Sequence, residues 1–494
     1  MGRGRARFRL TTAREHGGAD ADPKALVVIL ALDGPVDWGR GAPATPQMEP
    51  CVTSSVTSRP STIGALMTWT KRQIIAASIG GALLAGVITV IGLNFVQPER
   101  RIQQRVEHRY ATADPEFRHE LGVLLGPPML DGNRVVNLEN GAKIFPPMLA
   151  AVRAAQRSIT FETYIYWSGE IGLQFADALI ERSRAGIPVR VLVDWVGSQK
   201  MDEELVSRME QAGVKIKRYH PLHWYHLVRM NNRTHRKLLV VDGKVGFTGG
   251  VGIADQWEGE AQDADHWRDS HFRMEGPAVA QMQAAFMDNW IKTTGEVLRG
   301  EEYFPHLPAL GQVSGQVFTS SPSGGADSML LMYLLAISSS VKTIDLSAAY
   351  FVPDELTLIA LAGALKRGVR VRIIVPGEHV DSEVVRNASR ASWGKLLAAG
   401  AAIHEYQPTM FHCKILIVDG LLVSVGSTNF DMRSFRLNDE ANLNVYDADF
   451  ARAVTAVFEA DLLRTRKISF AMWRERPWHE KFLEHLAAVF SSQL

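Results

Sequence analysis

The chain has 494 residues, of which 46% are hydrophobic and 22% charged. These ordinary values exclude wholesale disorder and fibrous repeats, and the length suits about two to four domains. The 54 Lys and Arg residues nearly balance the 53 Asp and Glu residues, for a net charge of +1. Such a balance argues against a dedicated nucleic-acid coat, which is usually strongly basic. Two cysteines, Cys51 and Cys413, are too few for a disulfide framework or a cysteine metal site within one chain.

Residues 1–66 differ in composition from the rest of the chain. They begin with a basic stretch and continue with many Gly, Ala, Pro, Ser and Thr residues, without a sustained helical or alternating apolar pattern. This composition is typical of a disordered tail, or of upstream sequence ahead of a true start at Met67. A basic arm for nucleic acid is the third interpretation. The segment is predicted to be a disordered or non-native N-terminal extension.

Residues 74–96 contain no charged side chain and predict one transmembrane helix. As a helix they span about 34 Å, enough for a hydrocarbon core of about 30 Å. The run is longer than the apolar region of a signal peptide and does not end in small residues. Four arginines follow it within reach, against three basic residues before it. Because basic residues favour the cytoplasmic side, the count favours a single-span protein of the cell inner membrane with a cytoplasmic catalytic part.

The remainder of the chain alternates apolar strands with amphipathic helices, which is typical of an α/β fold. A strand–helix–strand unit occurs twice, at a separation near 180 residues, and therefore indicates two similar domains. The first copy is predicted at 158–166, 172–185 and 189–194, and the second at 343–352, 356–367 and 369–375.

One motif, His-x-Lys-x-x-x-x-Asp, recurs at matching places in the two copies. It reads His235, Lys237, Asp242 in the first copy and His412, Lys414, Asp419 in the second, 177 positions later. Residues two apart on a strand share a face, so each His and Lys is expected to point into one cleft. Each Asp is followed by Gly and is expected near a turn.

The repeated motif suits chemistry on a phosphodiester. Two lysines neutralise the phosphate and stabilise the additional charge of the transition state. One neutral histidine attacks phosphorus, while the other, protonated, donates to the leaving alkoxide and later activates the incoming hydroxyl. Each histidine needs an acceptor on its other ring nitrogen, a role the two aspartates could fill. One motif supplies half a site, and the chemistry requires neither a metal nor a cofactor.

With these motifs the sequence resembles the phospholipase D superfamily, and bacterial cardiolipin synthases in particular. The resemblance extends to Trp267-Arg268-Asp269 in the first half. In the second half it includes the run from Gly426 to Phe435 and Asn438-Asp439-Glu440. It implies two similar phospholipase D-like α/β domains packed around one shared active site, preceded by one transmembrane helix. The domains are expected at 115–310 and 311–475, followed by a C-terminal helix at 476–494.

The resemblance also implies roles for individual residues. A phosphohistidine intermediate is expected, with His235 favoured as nucleophile and His412 as acid. Lys237 and Lys414 would bind phosphate, with Asp242 and Asp419 as supports. Substrate-binding residues are expected at Asn429, Ser427, Gly249 and Gly250. The first half departs from the family pattern Gly-Gly-x-Asn, because Gly252 stands where the amide is expected.

Two segments could touch a membrane. Residues 221–230 form an aromatic insertion in the first half, which could enter the headgroup region or pack between the domains. Near the C-terminus, Phe470, Trp473, Trp478 and Phe482 lie close to arginines in the sequence. They could form an interfacial helix or pack against the catalytic body.

Two function classes remain after these observations. The first is a membrane phosphatidyltransferase that joins two phosphatidylglycerols into cardiolipin and releases glycerol. The second is a phosphodiesterase that uses water, either a phospholipase D or a nuclease. The apolar span and the neutral charge favour a phospholipid substrate and a membrane over nucleic acid. A non-catalytic scaffold conflicts with two complete motifs.

Overall fold

The computed structural model describes residues 70–94, 102–221, 231–322 and 327–489. The extension predicted at 1–66 and most of the aromatic insertion, residues 222–230, lie outside the described residues. Residues 75–494 group into one unit.

An apolar helix, α1 (Lys71–Asn94), occupies the place predicted for the membrane span. Its side chains are exposed over the apolar window Lys71–Thr89. Among the described residues it is the one helix long and apolar enough to cross a membrane. It begins three residues before the predicted boundary because Lys71, Arg72 and Gln73 join its first turn.

The first half of the remaining chain carries one set of alternating strands and helices, as predicted. In chain order the elements are α2 (Pro115–Leu125), β1 (Leu130–Glu139), α3 (Asn140–Ala154), β2 (Ile159–Thr163), α4 (Glu170–Arg184), β3 (Val189–Asp194), α5 (Glu203–Gln211), β4 (Lys215–Tyr219), β5 (Leu238–Val241), β6 (Val245–Gly249), β7 (Ser270–Glu275) and α6 (Val279–Thr294).

The second half repeats this order and extends it at its C-terminal end. Its elements are β8 (Val313–Ser320), α7 (Ser328–Ser339), β9 (Thr343–Ala348), β10 (Phe351–Val352), α8 (Glu355–Lys366), β11 (Arg370–Pro376), α9 (Glu383–Ala398), β12 (Ala402–Tyr406), β13 (Lys414–Val418), β14 (Leu422–Gly426), β15 (Phe430–Asp431), α10 (Met432–Arg436), β16 (Glu440–Tyr446), α11 (Ala448–Leu462), β17 (Thr465–Ile468), α12 (Phe470–Glu475) and α13 (Trp478–Val489).

The main strands form one sheet in which the second half mirrors the first. The order is β17-β12-β11-β9-β13-β14-β16-β8-β1-β7-β6-β5-β2-β3-β4, so that outward from the central β8–β1 pair each half repeats the same sequence of strands. The crossover strands β2, β3 and β4 are parallel, as are β9, β11 and β12. The α/β class and the duplication predicted from the sequence are therefore confirmed. The domain boundaries 115–310 and 311–475 stay predictions, because the sheet runs on without a break where they meet.

Three apolar clusters hold the layers together. In one cluster, side chains of α3, α4 and α5 pack against the first half of the sheet. In another, side chains of α7, α8 and α9 pack against the second half. The third contains residues of both halves: Trp290 of α6 lies in the same cluster as Phe458 of α11. Burial of each such side chain contributes roughly 1.5–3 kcal/mol, so the shared cluster fixes the halves against each other.

Candidate active site

The two motif histidines line one pocket of about 930 Å³ between the halves. Strand β5 lies between Lys237 and Asp242, and strand β13 begins at Lys414; both strands are fully buried and place the histidines at the same edge of the sheet. Lys237 and Asn429 also line this pocket. The other lining residues are Tyr164, Ile165, Arg233, Trp257, Trp267, Tyr350, Asp381, Val385, Asp431, Arg433, Ser434 and Asn438.

His235 is held by the second half of the chain. Its backbone N–H donates to the carbonyl of Asp439 at 2.9 Å. Its ring Nδ1 lies 3.0 and 3.1 Å from the two carboxylate oxygens of Glu440, the first residue of β16. An ionised Glu440 accepts the proton on Nδ1, which leaves the lone pair on Nε2 for chemistry.

His412 is held by the first half in the same way. Its backbone N–H donates to the carbonyl of Arg268 at 2.8 Å, and its Nδ1 lies 2.7 Å from Oδ2 of Asp269. Asp269 also accepts from Nε1 of Trp257 at 2.9 Å and from the backbone N–H of Ser270 at 2.8 Å. Each half thus supplies the carboxylate for the other half's histidine, so neither half forms the site alone.

The expectation that Asp242 and Asp419 orient the histidines is wrong. The carboxylate of Asp242 accepts from the backbone N–H groups of three consecutive residues, 156–158, at 2.7–3.1 Å. Asp419 does the same for residues 341–343 at 2.7–2.9 Å. Both aspartates have φ of 54° and precede a glycine with φ of 63°, the pattern of a tight hairpin turn that Asp-Gly adopts readily. They fasten the β5–β6 and β13–β14 turns to the loops leading into β2 and β9.

The two lysines lie beside their own histidines. Lys237 Nζ donates to the carbonyl of His235 at 2.8 Å, and Lys414 Nζ donates to that of His412 at 2.7 Å. Lys414 Nζ also lies 3.1 and 3.2 Å from the ring nitrogens of His412. Burial lowers the pKa of Lys237 to about 7 and also lowers that of Lys414. A bound phosphate would stabilise the protonated form of both lysines, so the pair is suited to an anionic substrate.

Burial also decides the protonation of the histidines. It lowers the pKa of His235 to about 4, because desolvation outweighs the opposing effect of Glu440. The pKa of His412 is lowered by burial and by Lys414. For Glu440 and Asp269, burial alone would raise the pKa, but the adjacent histidines and lysines hold it below its ordinary value. At neutral pH the site therefore pairs neutral histidines with ionised carboxylates.

The residues predicted to bind substrate divide into two groups. Asn429 lines the pocket, and its Oδ1 is buried without a hydrogen-bond partner. Ser427 does not line it: its hydroxyl donates to Oε2 of Glu440 at 2.5 Å, behind His235. Gly250 lies behind Asp269, since a Cβ there would come 2.2 Å from Oδ1 of that carboxylate. Gly249 has φ of 157°, and a Cβ there would come 2.6 Å from Cα of His271, so Ser427 and both glycines act as supports.

Several residues of the site carried no predicted role. Glu440 and Asp269 lie in the segments that carry the family resemblance. Glu440 is the first residue of β16 and Asp269 directly precedes β7, and these positions are the signal that could have identified them. Tyr164 lies with its ring edge-on to His235, at 5.2 Å between centroids. Trp257 and Trp267 lie 5.4 and 5.5 Å from the ring of His412. These aromatic rings form an apolar wall beside the two histidines.

Comparisons with known proteins match both halves of the chain. A family profile described as cardiolipin synthase, PLD-like domain, matches residues 148–290 and 333–462, one stretch in each half. A probable cardiolipin synthase of Bacillus subtilis is 37% identical over 359 residues, covering 72% of this chain and 71% of that protein. A cardiolipin synthase of Geobacillus kaustophilus is 34% identical over 370 residues, covering 74% of each chain.

A solved structure supports the fold. The phosphatidylserine synthase of Haemophilus influenzae superposes with a TM-score of 0.60 over 77% of this chain and 100% of that one. Its sequence identity is 14%, so this likeness concerns the fold alone. The profile match in both halves and the identity to the two bacterial relatives establish the family. The chain belongs to the cardiolipin synthase family of phospholipase D-like proteins.

Proposed function

We propose that this protein is a membrane phosphatidyltransferase of the cardiolipin synthase type. It transfers a phosphatidyl group from one phosphatidylglycerol to the glycerol hydroxyl of another and releases free glycerol. The observation that carries the proposal is the crossed arrangement in which Glu440 holds His235 and Asp269 holds His412 at one pocket. The identity to bacterial cardiolipin synthases supports the choice of lipid.

In the first step, Nε2 of His235 attacks the phosphorus of the donor lipid. A bond forms between nitrogen and phosphorus, and the bond from phosphorus to the headgroup glycerol oxygen breaks. His412 gives a proton to that oxygen, so glycerol leaves neutral. The contact of 2.7 Å to Asp269 stabilises the imidazolium form of His412 that this step needs, against burial and Lys414, which together hold the pKa of His412 below its ordinary value.

In the second step, a glycerol hydroxyl of the acceptor lipid attacks the same phosphorus. His412, now neutral, takes the hydroxyl proton, and the bond between phosphorus and His235 breaks. Lys237 and Lys414 neutralise the phosphoryl oxygens throughout. Asn429, with its amide in the pocket, contacts the phosphate or the headgroup.

The pocket walls favour a lipid hydroxyl over water as acceptor. Tyr164, Trp257, Trp267 and Val385 line the pocket beside the polar groups. We place the protein in the inner membrane through α1, with the catalytic part in the cytoplasm, on the basis of the arginines that follow the span. The chemistry needs no metal and no nucleic-acid partner.

To test this, the purified enzyme is incubated with vesicles that contain labelled phosphatidylglycerol, and the products are identified by mass spectrometry. Cardiolipin together with an equal amount of glycerol is expected, at a rate that a chelator leaves unchanged. Phosphatidic acid in place of cardiolipin would assign a hydrolase instead. The His412→Ala variant is the control, because it keeps the pocket but lacks the acid.

A further inference from the structure

The C-terminal helix α13 has one buried face and one exposed apolar face. On the buried face, Glu484 is fully enclosed and accepts from Nε of Arg476 at 2.8 Å and from Nη2 at 2.5 Å. Arg390 of α9 lies 3.4 Å from Glu484 and 3.0 Å from Glu480. These contacts fix the rotation of α13 on α9 and so determine which side chains face outward.

The outward face is an apolar stripe along the whole helix. Trp478 is 78% exposed, Phe482 is 63% exposed and Val489 is 73% exposed. Leu483 and Leu486 are about half exposed. Positions 478, 482, 486 and 489 share one side of a helix, so the stripe is continuous over about 18 Å. Exposed apolar patches of this kind mark interaction surfaces in water-soluble domains.

The inner end of α13 touches the wall of the active-site pocket. Ala487 packs in one apolar cluster with Val385 of α9 and Val352 of β10, against which Tyr350 also packs. Val385 and Tyr350 both line the pocket of the two histidines. A surface that covers the stripe is therefore separated from the pocket by α13 and by the layer of side chains on which its buried face packs.

We propose that the stripe on α13 inserts into the surface of the phospholipid bilayer beside the active-site pocket. This rests on the proposed function, because the substrate is then a lipid of that bilayer. Aromatic residues at the ends of apolar stripes favour the membrane interface, and a helix of this pattern lies in its plane. On the adjoining α12, Phe470 and Met472 are partly exposed and Arg474 lies over the Phe470 ring at 5.7 Å. Arg474 is exposed, lies 3.7 Å from the exposed carboxylate of Glu475, and suits an anionic headgroup region.

The first test measures where the stripe lies, independently of any reaction. The full chain carries Cys51→Ser and Phe482→Cys, is spin-labelled, and is reconstituted in vesicles of phosphatidylcholine and phosphatidylglycerol. The remaining native Cys413 is buried and does not react. The matched control is Ser207→Cys on α5, an exposed position in the first half. Collisions with oxygen should exceed those with a water-soluble nickel chelate at position 482, and the reverse should hold at position 207.

Two outcomes would overturn the proposal. Equal access of the nickel chelate to positions 482 and 207 would place the stripe in water. Low access of both oxygen and the nickel chelate to position 482 would mean that protein covers the stripe. Spin coupling between the labels of two chains would then identify a second copy as the covering protein. Without such coupling, the stripe would be covered by a segment of the same chain.

The second test measures what the stripe does for turnover. Trp478→Ser combined with Phe482→Ser should raise the KM for phosphatidylglycerol in vesicles about tenfold. Activity on monomeric dihexanoyl phosphatidylglycerol should stay within about twofold, because that substrate needs no bilayer. Leu463→Ser is the matched control, since Leu463 is 89% exposed but lies outside the stripe, and it should leave both values unchanged.

An equal loss on both substrates in the double variant would overturn the role in bilayer docking. If the unaltered protein turns over neither substrate, the proposed function fails, while the accessibility measurement still decides the docking surface.

Discussion

The two copies of the His-x-Lys motif share one frame but lie in different surroundings. Between His235 and Lys237 stands Arg236, fully buried, with Nη2 3.1 Å from Asp288 and 3.7 Å from Asp439. The matching residue of the second motif is Cys413, whose Sγ lies 3.9 Å from the carbonyl of Arg268. The first motif is therefore fastened across the halves by a buried ion pair, and the second by packing.

The residues beyond the motifs differ as well. In the second half Asn429 presents an amide to the pocket, whereas the first half has Gly252 at the matching place. A Cβ at Gly252 would come 2.9 Å from Cβ of Ile165 and 3.2 Å from the ring of Trp257, so the missing side chain makes room for both. Trp257 in turn donates to Asp269, the partner of His412. The two histidines are therefore related by the duplication but have different neighbours. Different roles, one as nucleophile and one as acid, require such a difference.

The largest effect is expected from removing either histidine. His235→Ala and His412→Ala should each lower kcat by about 10³-fold or more, because each removes one of the two groups that act on the phosphate. Turnover of phosphatidylglycerol with product analysis measures this. Retained activity in either variant would mean that the two halves do not form one site.

The next largest loss of activity is expected from changing the two carboxylates that accept from the histidines, Glu440 and Asp269. Glu440→Gln and Asp269→Asn should lower kcat by about 100-fold, because the histidines lose the acceptor that fixes the Nδ1 proton and stabilises the charged ring. Steady-state kinetics on folded protein measures the loss. A loss confined to KM would assign these carboxylates to substrate binding instead.

The pH dependence follows from the lowered pKa values. His235 must be neutral to attack, and its pKa of about 4 means that kcat/KM falls only as the pH drops to about 4. His412 must be protonated to donate, and its pKa lies below the ordinary 6.5 because of burial and Lys414. The profile of kcat/KM for the free enzyme should therefore be a bell with its maximum on the acid side of 6.5. A maximum above pH 8 would contradict this assignment.

The motif aspartates should behave differently from the partner carboxylates. Asp242→Asn and Asp419→Asn should lower the free energy of unfolding by about 1–3 kcal/mol, because each carboxylate satisfies a run of backbone N–H groups. The kcat of the folded fraction should stay within about threefold. Thermal unfolding and turnover of the same samples separate the two effects. A loss of kcat as large as that of Glu440→Gln would restore a catalytic role to the aspartates.

The smallest effect is expected at Cys413. Burial raises the pKa of its thiol to about 12, so it is not a nucleophile at neutral pH. Cys413→Ala should leave kcat within about twofold, and a maleimide should not inactivate the folded protein. Inactivation by the reagent in a Cys51→Ser background would mean that the second motif opens to solvent.

The duplication, the strand–helix–strand units and the catalytic pair could be predicted because they depend on local pattern and spacing. Lys237 and His235 are two residues apart, and their proximity follows from the chain itself. The partners of the histidines could not be derived in that way. Glu440 lies 205 positions after His235 in the chain, and only the pairing of β16 with β8 and β14 brings it to the first motif. The sequence pattern predicts the wrong role for Asp242 because the carboxylate of a turn aspartate can accept from backbone N–H groups as readily as from a side chain.

The measurement that tests the central claim most directly uses a phosphatidyl ester of p-nitrophenol, whose leaving group needs no acid. The His412→Ala variant should release about one nitrophenol per chain, and mass spectrometry at alkaline pH should find the phosphatidyl group on the peptide that contains His235. The His235→Ala variant should show neither. A burst in His235→Ala with the phosphatidyl group on His412, or modification of neither histidine, would contradict the account.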